Sequence, residues 1–454
     1  MAPIAIPLRY VAAAAAVFQT ASMLSTYAAC VITSRCPPLP HVPTISNTWD
    51  TPPGSYLSRF SLSVVALVFT AMQFALWLPT GPLPHFRLHR VIGCFATFCL
   101  SWVGAICDET WPACRGNRPL HIGSALSFFI LYNINMLAFS FAHTGRARAA
   151  MAIPALTSTA SKLRWLAFVP PVVPVDQTLL ALVEWADTFL VMGWTVGVLW
   201  LQRADLTCYL FTQQPSAPLL VCSVRHITAA VLALFSGTLL VCTCLYFRAG
   251  GTSWPYISDL FVYPPADWIS RWAIELAGSL AILGHFLLYL MDAASAPSSS
   301  AISSRWLTCL AVVALLGLDV VGCVNEMEDF PLHISGALVF FCGYDMFMWL
   351  RTTSLLFSPI FPDLPGLRKK AAYSNECLYA QLLLCLLSSC FTSLRIASTG
   401  WQWSPSHAPL TAGGVLDPLL EWLDALCIVS YFALAVTSHQ TLAKTTGFSI
   451  APSS

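Results

Sequence analysis

Long apolar runs alternate with short polar segments along the whole chain. A helix that crosses the hydrocarbon core of a bilayer needs about 20 mostly apolar residues, because its backbone groups must bond within the segment. By this rule the sequence predicts twelve transmembrane helices, near residues 10–32, 60–79, 91–107, 121–143, 160–178, 182–201, 226–247, 272–291, 306–324, 333–350, 377–394 and 419–438. Pro170, Pro171 and Pro174 interrupt the fifth of these runs. The pattern predicts an all-α polytopic membrane protein.

The composition agrees with this fold class. Charged residues make up 9% of the 454 residues, against about 25% in an ordinary soluble protein. Apolar residues make up 57%, and the mean hydropathy is +0.70. The net charge of +1 comes without a basic stripe that could follow a phosphate backbone, so we expect no nucleic-acid partner.

The positions of lysine and arginine predict the orientation of the chain. Cytosolic loops of membrane proteins carry an excess of these residues. If the N-terminus is cytosolic, 15 of the 22 Lys and Arg residues fall in inner loops. Both termini are therefore predicted to be cytosolic. The Ala-rich first run also resembles a cleaved signal peptide, an interpretation that we reject because an equivalent helix recurs in the second half.

Most of the 17 cysteines fall inside the apolar runs, where cysteine behaves as a small hydrophobic residue. Cys36, Cys107 and Cys114 lie in or beside predicted outer loops, so the sequence allows one lumenal disulfide. No spacing of Cys and His resembles a zinc site, and no cofactor motif occurs. We predict neither a metal site nor a cofactor.

The second half of the chain resembles the first. Residues 45–60 align without a gap to residues 257–272. The same offset pairs further residues of the two halves: Pro119 with Pro331, His121 with His333, Phe128 with Phe340 and Tyr132 with Tyr344. An even number of spans in each half gives both halves the same orientation, as in parallel repeats. We predict two six-helix units, followed and separated by short cytosolic segments: units 1–205 and 225–440, linker 206–224 and tail 441–454.

The first repeated polar set lies in the outer loop that precedes the second helix of each half. It contains paired prolines and four candidate residues for binding a lipid head group: Ser46, Arg59, Ser258 and Arg271. Arginine suits bidentate contact with a phosphate or carboxylate. The alternative is a rigid loop that caps the bundle, with the arginine side chains extending to the membrane surface.

The second set places acidic residues before a histidine at the start of the fourth helix of each half. Asp108 and Glu109 precede His121 in the first half. The second half has the stronger candidates for catalysis, which are Glu328, Asp329 and His333, preceded by Glu326. A carboxylate beside an imidazole is a common acid and base arrangement. The alternative is a helix cap with solvated charges.

The third set is a pair of carboxylates at the start of the last helix of each half. Glu184 and Asp187 in the first half, and Glu421 and Asp424 in the second, are three residues apart on one helix face. Carboxylates within a membrane span suggest function or an internal partner, so we expect them to support the site. The alternative is a satisfied contact between helices. The sequence contains no nucleophile motif that would name the reaction.

These motifs resemble those of a known family. Cys36 to Ser46, followed by Pro52-Pro53 and Arg59, resembles the first lumenal loop of the post-GPI-attachment factor 2 proteins. Met327 to His333 is similar to the acidic segment and histidine of that family, and Leu420-Glu421-Trp422 to the start of its last helix. Related proteins include the DRAM autophagy modulators and the N-terminal half of a cell-wall protein that exchanges GPI lipid for ceramide. The resemblance covers nearly the whole chain, taken twice.

The resemblance implies a factor in the Golgi or ER membrane that remodels the lipid of GPI anchors by fatty-acid reattachment or lipid exchange. The expected partners of such a factor are membrane lipids, GPI-anchored proteins and other remodelling enzymes. The resemblance leaves open whether the chain is the catalyst or an essential accessory. Residues 110–118 interrupt the acidic segment of the first half, which favours the second half as the active one. Two alternatives are a non-catalytic DRAM-like scaffold or regulator and, less favoured, a transporter.

Overall fold

The computed structural model describes residues 4–36, 42–50, 52–77, 86–106, 117–142, 145–168, 177–201, 206–211, 220–294, 301–356, 375–399, 416–438 and 446–452. The chain divides into two compact units. The N-terminal unit is built on residues 5–208, and the C-terminal unit on residues 209–449.

The N-terminal unit is a ring of long helices. Its helices are α1 Leu8–Ile32, the short α2 Ile45–Trp49, α3 Gly54–Leu76, α4 Phe86–Ala105, α5 Arg118–Ala142, α6 Gly145–Phe168 and α7 Gln177–Leu201. Each long helix packs against the next one, and α7 returns to pack against α1. Large buried side chains such as Phe69, Tyr132 and Phe139 fill the interior.

The C-terminal unit has the same order of packing. Its helices are α8 Val224–Arg248, α9 Ala266–Ala294, α10 Ala301–Cys323, α11 Phe330–Leu356, α12 Asn375–Thr399 and α13 Leu416–Thr437, and a 3₁₀ turn at Ser258–Phe261 precedes α9. Consecutive helices pack together, and α13 closes the ring against α8. Tyr344, Tyr431 and Phe432 are buried in its core.

Four short strands form one sheet. They are β1 Ile4–Pro7, β2 Leu206–Phe211, β3 Leu220–Ser223 and β4 Gly447–Pro452, in the order β1-β2-β4-β3. The sequence analysis did not anticipate them, because β2, β3 and β4 fall in segments that were assigned as linker and tail from their position between apolar runs. Strand pairing satisfies the backbone of these segments where no helix forms.

The prediction of an all-α polytopic membrane protein is confirmed. Among the described helices, eleven are long and apolar enough to cross a membrane, and each agrees with a predicted span to within six residues at both ends. The predicted fifth span at 160–178 is wrong. The helix in this region is α6, Gly145–Phe168, which lies earlier in the chain. The described part of α6 ends at Phe168, and residues 169–176 lie outside the described part.

Glycines allow α10 and α11 to approach closely. A Cβ atom added at Gly317 would lie 2.7 Å from the carbonyl oxygen of Gly336, and one added at Gly336 would lie 2.9 Å from the carbonyl oxygen of Gly317. Small residues at a helix interface allow this backbone contact in membrane proteins. The contact fixes the distance between the two helices that border the site described below.

We expect Gly336→Ala to destabilise the protein by about 1–3 kcal/mol, the usual cost of overpacking. The added Cβ would also lie 2.8 Å from Cγ1 of Val320. The control is Gly237→Ala in α8, where a Cβ would meet nothing within 4 Å among the described residues. Thermal unfolding of both variants in detergent checks this expectation. Equal unfolding temperatures would contradict it.

Candidate functional site

A cavity of about 130 Å³ lies in the C-terminal unit, at the end where α8, α10 and α12 finish and α9, α11 and α13 begin. We call it the C-terminal pocket. Its polar lining consists of Tyr256, Ser258, Asp259, Glu326, His333, Arg395 and Glu421. Its apolar lining includes Phe235, Phe261, Ile274, Leu318, Phe340 and Phe341. The pocket therefore combines ionisable groups with aromatic and aliphatic side chains, which are apolar as a lipid chain is.

Asn325 holds the two loops of the pocket together. Its side-chain Nδ2 donates hydrogen bonds of 3.0 Å to the carbonyl oxygens of Phe261 and Val262. Asn325 lies in the turn between α10 and α11, whereas its acceptors lie in the loop before α9. These two bonds bring Glu326 beside Ser258 and Asp259.

His333 lies in the first turn of α11 and is only 2% exposed. Its Nδ1 lies 2.6 Å from the carbonyl oxygen of Val324. A carbonyl oxygen only accepts, so this contact assigns the ring hydrogen to Nδ1 and leaves Nε2 with a lone pair. A histidine with a fixed tautomer is suited to act as a general base.

Glu326 lies in the turn between α10 and α11, outside the spans. Burial, the charges of Asp259 and Glu421 and a hydrogen bond with Asp259 raise the pKa of Glu326 to about 8, while a hydrogen bond with Ser258 opposes the shift. The carboxyl group therefore holds a proton at neutral pH. Tyr256, in the facing loop, has its pKa raised to about 12, first by burial and then by the charges of Asp417 and Glu421.

The structure places Glu328 and Asp329 in other contacts. Glu328 Oε1 accepts a hydrogen bond of 2.8 Å from Nη2 of Arg271. Asp329 Oδ1 accepts from the backbone N–H of Leu332 at 3.1 Å, which is a cap on α11. Neither residue is among those that the structure shows lining the pocket. The acids that line the pocket with His333 are Asp259, Glu326 and Glu421, and the catalytic roles of Glu328 and Asp329 stay predictions.

The two arginines expected to bind a head group lie inside their units. Arg59 and Arg271 are each 2% exposed. Arg59 lies with its guanidinium carbon 5.7 Å from the ring centre of Tyr56. Arg271 forms ion pairs with Glu328 at 2.8 Å and with Asp267 at 3.6 Å. Head-group binding by Arg59 and Arg271 stays a prediction, and neither occupies the surface position that we expected.

Arg395 is the cation that lines the pocket. Its Nη2 lies 3.5 Å from Oε2 of Glu421, at the point where α12 and α13 approach each other. The sequence analysis gave Arg395 no role, because it belongs to none of the repeated polar sets. One sequence signal could have identified Arg395 as a site residue. It is an arginine at the outer end of one span that is followed by a glutamate at the start of the next span.

The N-terminal unit has a smaller cavity, about 50 Å³, lined in part by Ser46 and Glu184. Nδ1 of His121 lies 2.6 Å from the carbonyl oxygen of Ile106, and its Nε2 lies 3.3 Å from Oγ of Ser46. Ser46 in turn donates to Glu184 at 3.4 Å. Asp108 and Glu109 lie outside the described residues.

The deeper carboxylates make contacts between helices. Asp187 accepts a hydrogen bond from Ser158 of α6, and Asp424 accepts from Ser388 and Thr392 of α12 at 2.5 Å each. Both carboxylates are at least 95% buried. These contacts match the alternative of a satisfied helix contact, and the supporting role predicted for them stays a prediction.

A disulfide closes the end of α1. It joins Cys36 to Cys30. The sequence analysis named Cys36, Cys107 and Cys114 as candidates for one disulfide and left out Cys30, because it assigned Cys30 to the membrane span. Cys107 and Cys114 lie outside the described residues.

Residues 219–438 match the family described as the Frag1/DRAM/Sfk1/Cwh43P N-terminal domain. The match begins just before α8 and ends just after α13, so it covers the long helices of the C-terminal unit. It supports a DRAM-like family of multispan membrane proteins. No curated protein and no solved structure matches the chain.

We expect Glu326→Gln to flatten the dependence of stability on pH. The folded protein binds the Glu326 proton more tightly than the unfolded chain does, because the pKa rises from 4.5 to about 8 on folding. Stability at this site is therefore greatest at low pH and falls as the pH rises from 4.5 towards 8. Glutamine stays neutral, so the variant should lose this fall.

Unfolding temperatures in detergent between pH 5 and 8 measure the effect. We expect a difference of several °C, because about 1 kcal/mol corresponds to about 2–4 °C in domains of this size. The control is Glu376→Gln, since Glu376 is exposed at the start of α12. Parallel curves for the wild type and Glu326→Gln would contradict the expectation.

Proposed function

We propose that this chain is a GPI-lipid remodelling factor that acts through the C-terminal pocket on the lumenal side of a Golgi or ER membrane. The observation that carries the proposal is the composition of that pocket. A neutral acid, a base and an arginine line it together with aromatic and aliphatic side chains. A lipid at the membrane surface likewise combines a polar head group with an apolar chain.

The size of the pocket suits the reacting part of a lipid. Its volume of about 130 Å³ is close to the roughly 150 Å³ of an engineered cavity that binds benzene. The pocket would therefore hold an ester group and the first methylenes of one acyl chain. Arg395 is placed to bind the phosphate, since a guanidinium pairs well with phosphate oxygens.

The acid and base of the pocket suit acyl transfer. In this reaction a free hydroxyl of the GPI lipid attacks the carbonyl of an acyl ester or thioester, and a new ester bond forms as the old one breaks. Nε2 of His333 takes the proton of the attacking hydroxyl, and Glu326 gives its proton to the leaving alcohol or thiol. His333 is buried and Glu326 is partly buried, which limits the competition of bulk water with proton transfer.

A separate observation, the position of the disulfide, supports the lumenal location of the site. Disulfides persist in oxidising compartments such as the ER lumen, and Cys30–Cys36 lies at the end of α1 that we predict to be outside. The pocket lies at the corresponding end of the C-terminal unit if the two halves are parallel repeats. In this proposal both termini are cytosolic, and GPI-anchored proteins and other remodelling enzymes are the partners.

The N-terminal unit is proposed to support the C-terminal one. The contacts of His121 with Ile106 and of His333 with Val324 are alike, as are those of Trp185 with Pro43 and of Trp422 with Pro255. These similarities support a duplication. The smaller cavity and the family match limited to residues 219–438 favour the C-terminal unit as the active one.

We expect His333→Ala to impair remodelling more than His121→Ala, because His333 lines the larger pocket with Glu326. The test is to remove the chain from cells, restore it with either variant, and analyse GPI lipids by mass spectrometry. Equal protein levels of the two variants provide the control. Equal and undiminished remodelling by both would contradict the assignment of His333.

The proposal as a whole fails if cells without the chain keep the same acyl and ceramide composition of their GPI lipids. That result, with the tagged protein in lysosomes or at the plasma membrane, would support the DRAM-like scaffold instead. Purified protein mixed with a lyso-GPI and an acyl donor then distinguishes a catalyst from an accessory.

A further inference from the structure

A second ionisable site lies behind the wall of the C-terminal pocket. Asp319 of α10 is 2% exposed, and Glu275 of α9 is completely buried. Neither carboxyl oxygen of Asp319 has a hydrogen-bond partner among the described residues. The neighbouring positions Ile274 and Leu318 line the pocket, whereas the two carboxyl groups are not among its described lining. The proposed function makes no use of this pair.

Among the described residues, no hydrogen-bond donor and no cation accompanies the Asp319 carboxyl group. Across the helix interface, a Cβ added at Gly278 would lie 1.9 Å from Oδ1 of Asp319, so Asp319 packs against the backbone of α9. The charged neighbour of Asp319 within the described residues is Glu275. Glu275 accepts a hydrogen bond of 3.2 Å from the thiol of Cys323.

An ionised carboxylate in such a position is costly. Burial of an unpaired charge in an apolar region costs several kcal/mol, and a second carboxylate nearby adds repulsion. A hard cation such as Ca²⁺ or Mg²⁺ does not resolve this, because it needs about six or more oxygen ligands. Two carboxyl groups fall short, and the described residues contain no cluster of three ligating side chains. A bound proton neutralises the site without further ligands.

The N-terminal unit shows that the packing does not require these acids. Gly322 packs against Ile274 and Glu275 of α9, as Gly104 packs against Leu62 of α3. This correspondence aligns Asp319 with Ser101 and Glu275 with Ser63. Both serines are buried, and Ser101 donates to the carbonyl oxygen of Phe98 at 2.7 Å. Small uncharged side chains thus occupy the corresponding positions in that unit.

We propose that Asp319 and Glu275 form a proton-binding site in the membrane-spanning core of the C-terminal unit. Asp319 holds an exchangeable proton in the resting protein. Loss of that proton would place two carboxylates side by side between α9 and α10 and shift Ile274 and Leu318, so the shape of the pocket depends on proton occupancy. This inference does not rest on GPI lipids being the substrate.

The test is labelling with dicyclohexylcarbodiimide, an apolar reagent that reacts with protonated carboxyl groups. The carboxyl oxygen bonds to the central carbon of the reagent, its proton moves to a nitrogen, and rearrangement gives a stable N-acylurea with no atom lost. Purified full-length protein in detergent is labelled at pH 6 and pH 9 and mapped by mass spectrometry. We expect label on Asp319 at pH 6 and less label at pH 9, because deprotonation removes the reactive form.

Two comparisons make the labelling decisive. A water-soluble carbodiimide should leave Asp319 unmodified, because the residue is buried. Addition of Na⁺ at constant pH should not reduce labelling, and protection by Na⁺ would overturn the proposal in favour of a cation site. The absence of label on Asp319 at both pH values, with the apolar reagent active on other acids of the chain, would also overturn it.

A variant gives a second measurement that does not depend on the reagent. Asparagine has nearly the shape and charge of a protonated aspartate, so Asp319→Asn should unfold at the same temperature as the wild type at pH 5. Its advantage should grow as the pH rises, because only the wild type then tends to lose a proton. A variant that is markedly less stable at pH 5, or a constant difference at every pH, would contradict a bound proton.

Discussion

The C-terminal pocket depends on the amide group of Asn325. Its two hydrogen bonds join the turn between α10 and α11 to the loop before α9, and these two segments supply Glu326, Ser258 and Asp259 to the pocket. Val324, which precedes Asn325, supplies the carbonyl that orients His333, and Glu326 directly follows Asn325 in the sequence. A buried amide that lost its partners would leave donors and acceptors unsatisfied, so the arrangement is stable only as a whole. One polar side chain thus sets the position of both the acid and the base.

Buried charge is handled in three ways within the C-terminal unit. Arg271 is paired with Glu328 and Asp267, Asp424 accepts from hydroxyl groups of α12, and Asp319 has no hydrogen-bond partner among the described residues. The first two arrangements repay the cost of burial by ion pairing or hydrogen bonding. The third has no such compensation within the described fold, which is why a proton is the simplest occupant. The same unit therefore contains both structural charges and charges that packing alone does not explain.

The sequence predicted the helices better than it predicted the site. Length and hydropathy suffice for a transmembrane helix, because the bilayer imposes both, and only α6 was misplaced, where prolines divide an apolar run. Recurrence at a fixed offset identified His333. It could not choose among Glu326, Glu328 and Asp329, since the direction of each side chain depends on a turn whose geometry Asn325 determines. Arg395 was missed because it reaches the pocket through the packing of α12 on α13, which a pattern along the chain does not show.

The two units differ in chemistry more than in architecture. Position 47 is an asparagine where the C-terminal unit has Asp259. The glycine contacts align Ser63 with Glu275 and Ser101 with Asp319 as equivalent positions of the two units. Each of these differences adds an acid to the C-terminal unit, and one of them, Asp259, contributes directly to the high pKa of Glu326. Acids added to a buried region lower stability unless something offsets them. Their concentration in one unit, beside the C-terminal pocket, supports the proposal that this unit carries the proton chemistry, while both units share the helical frame.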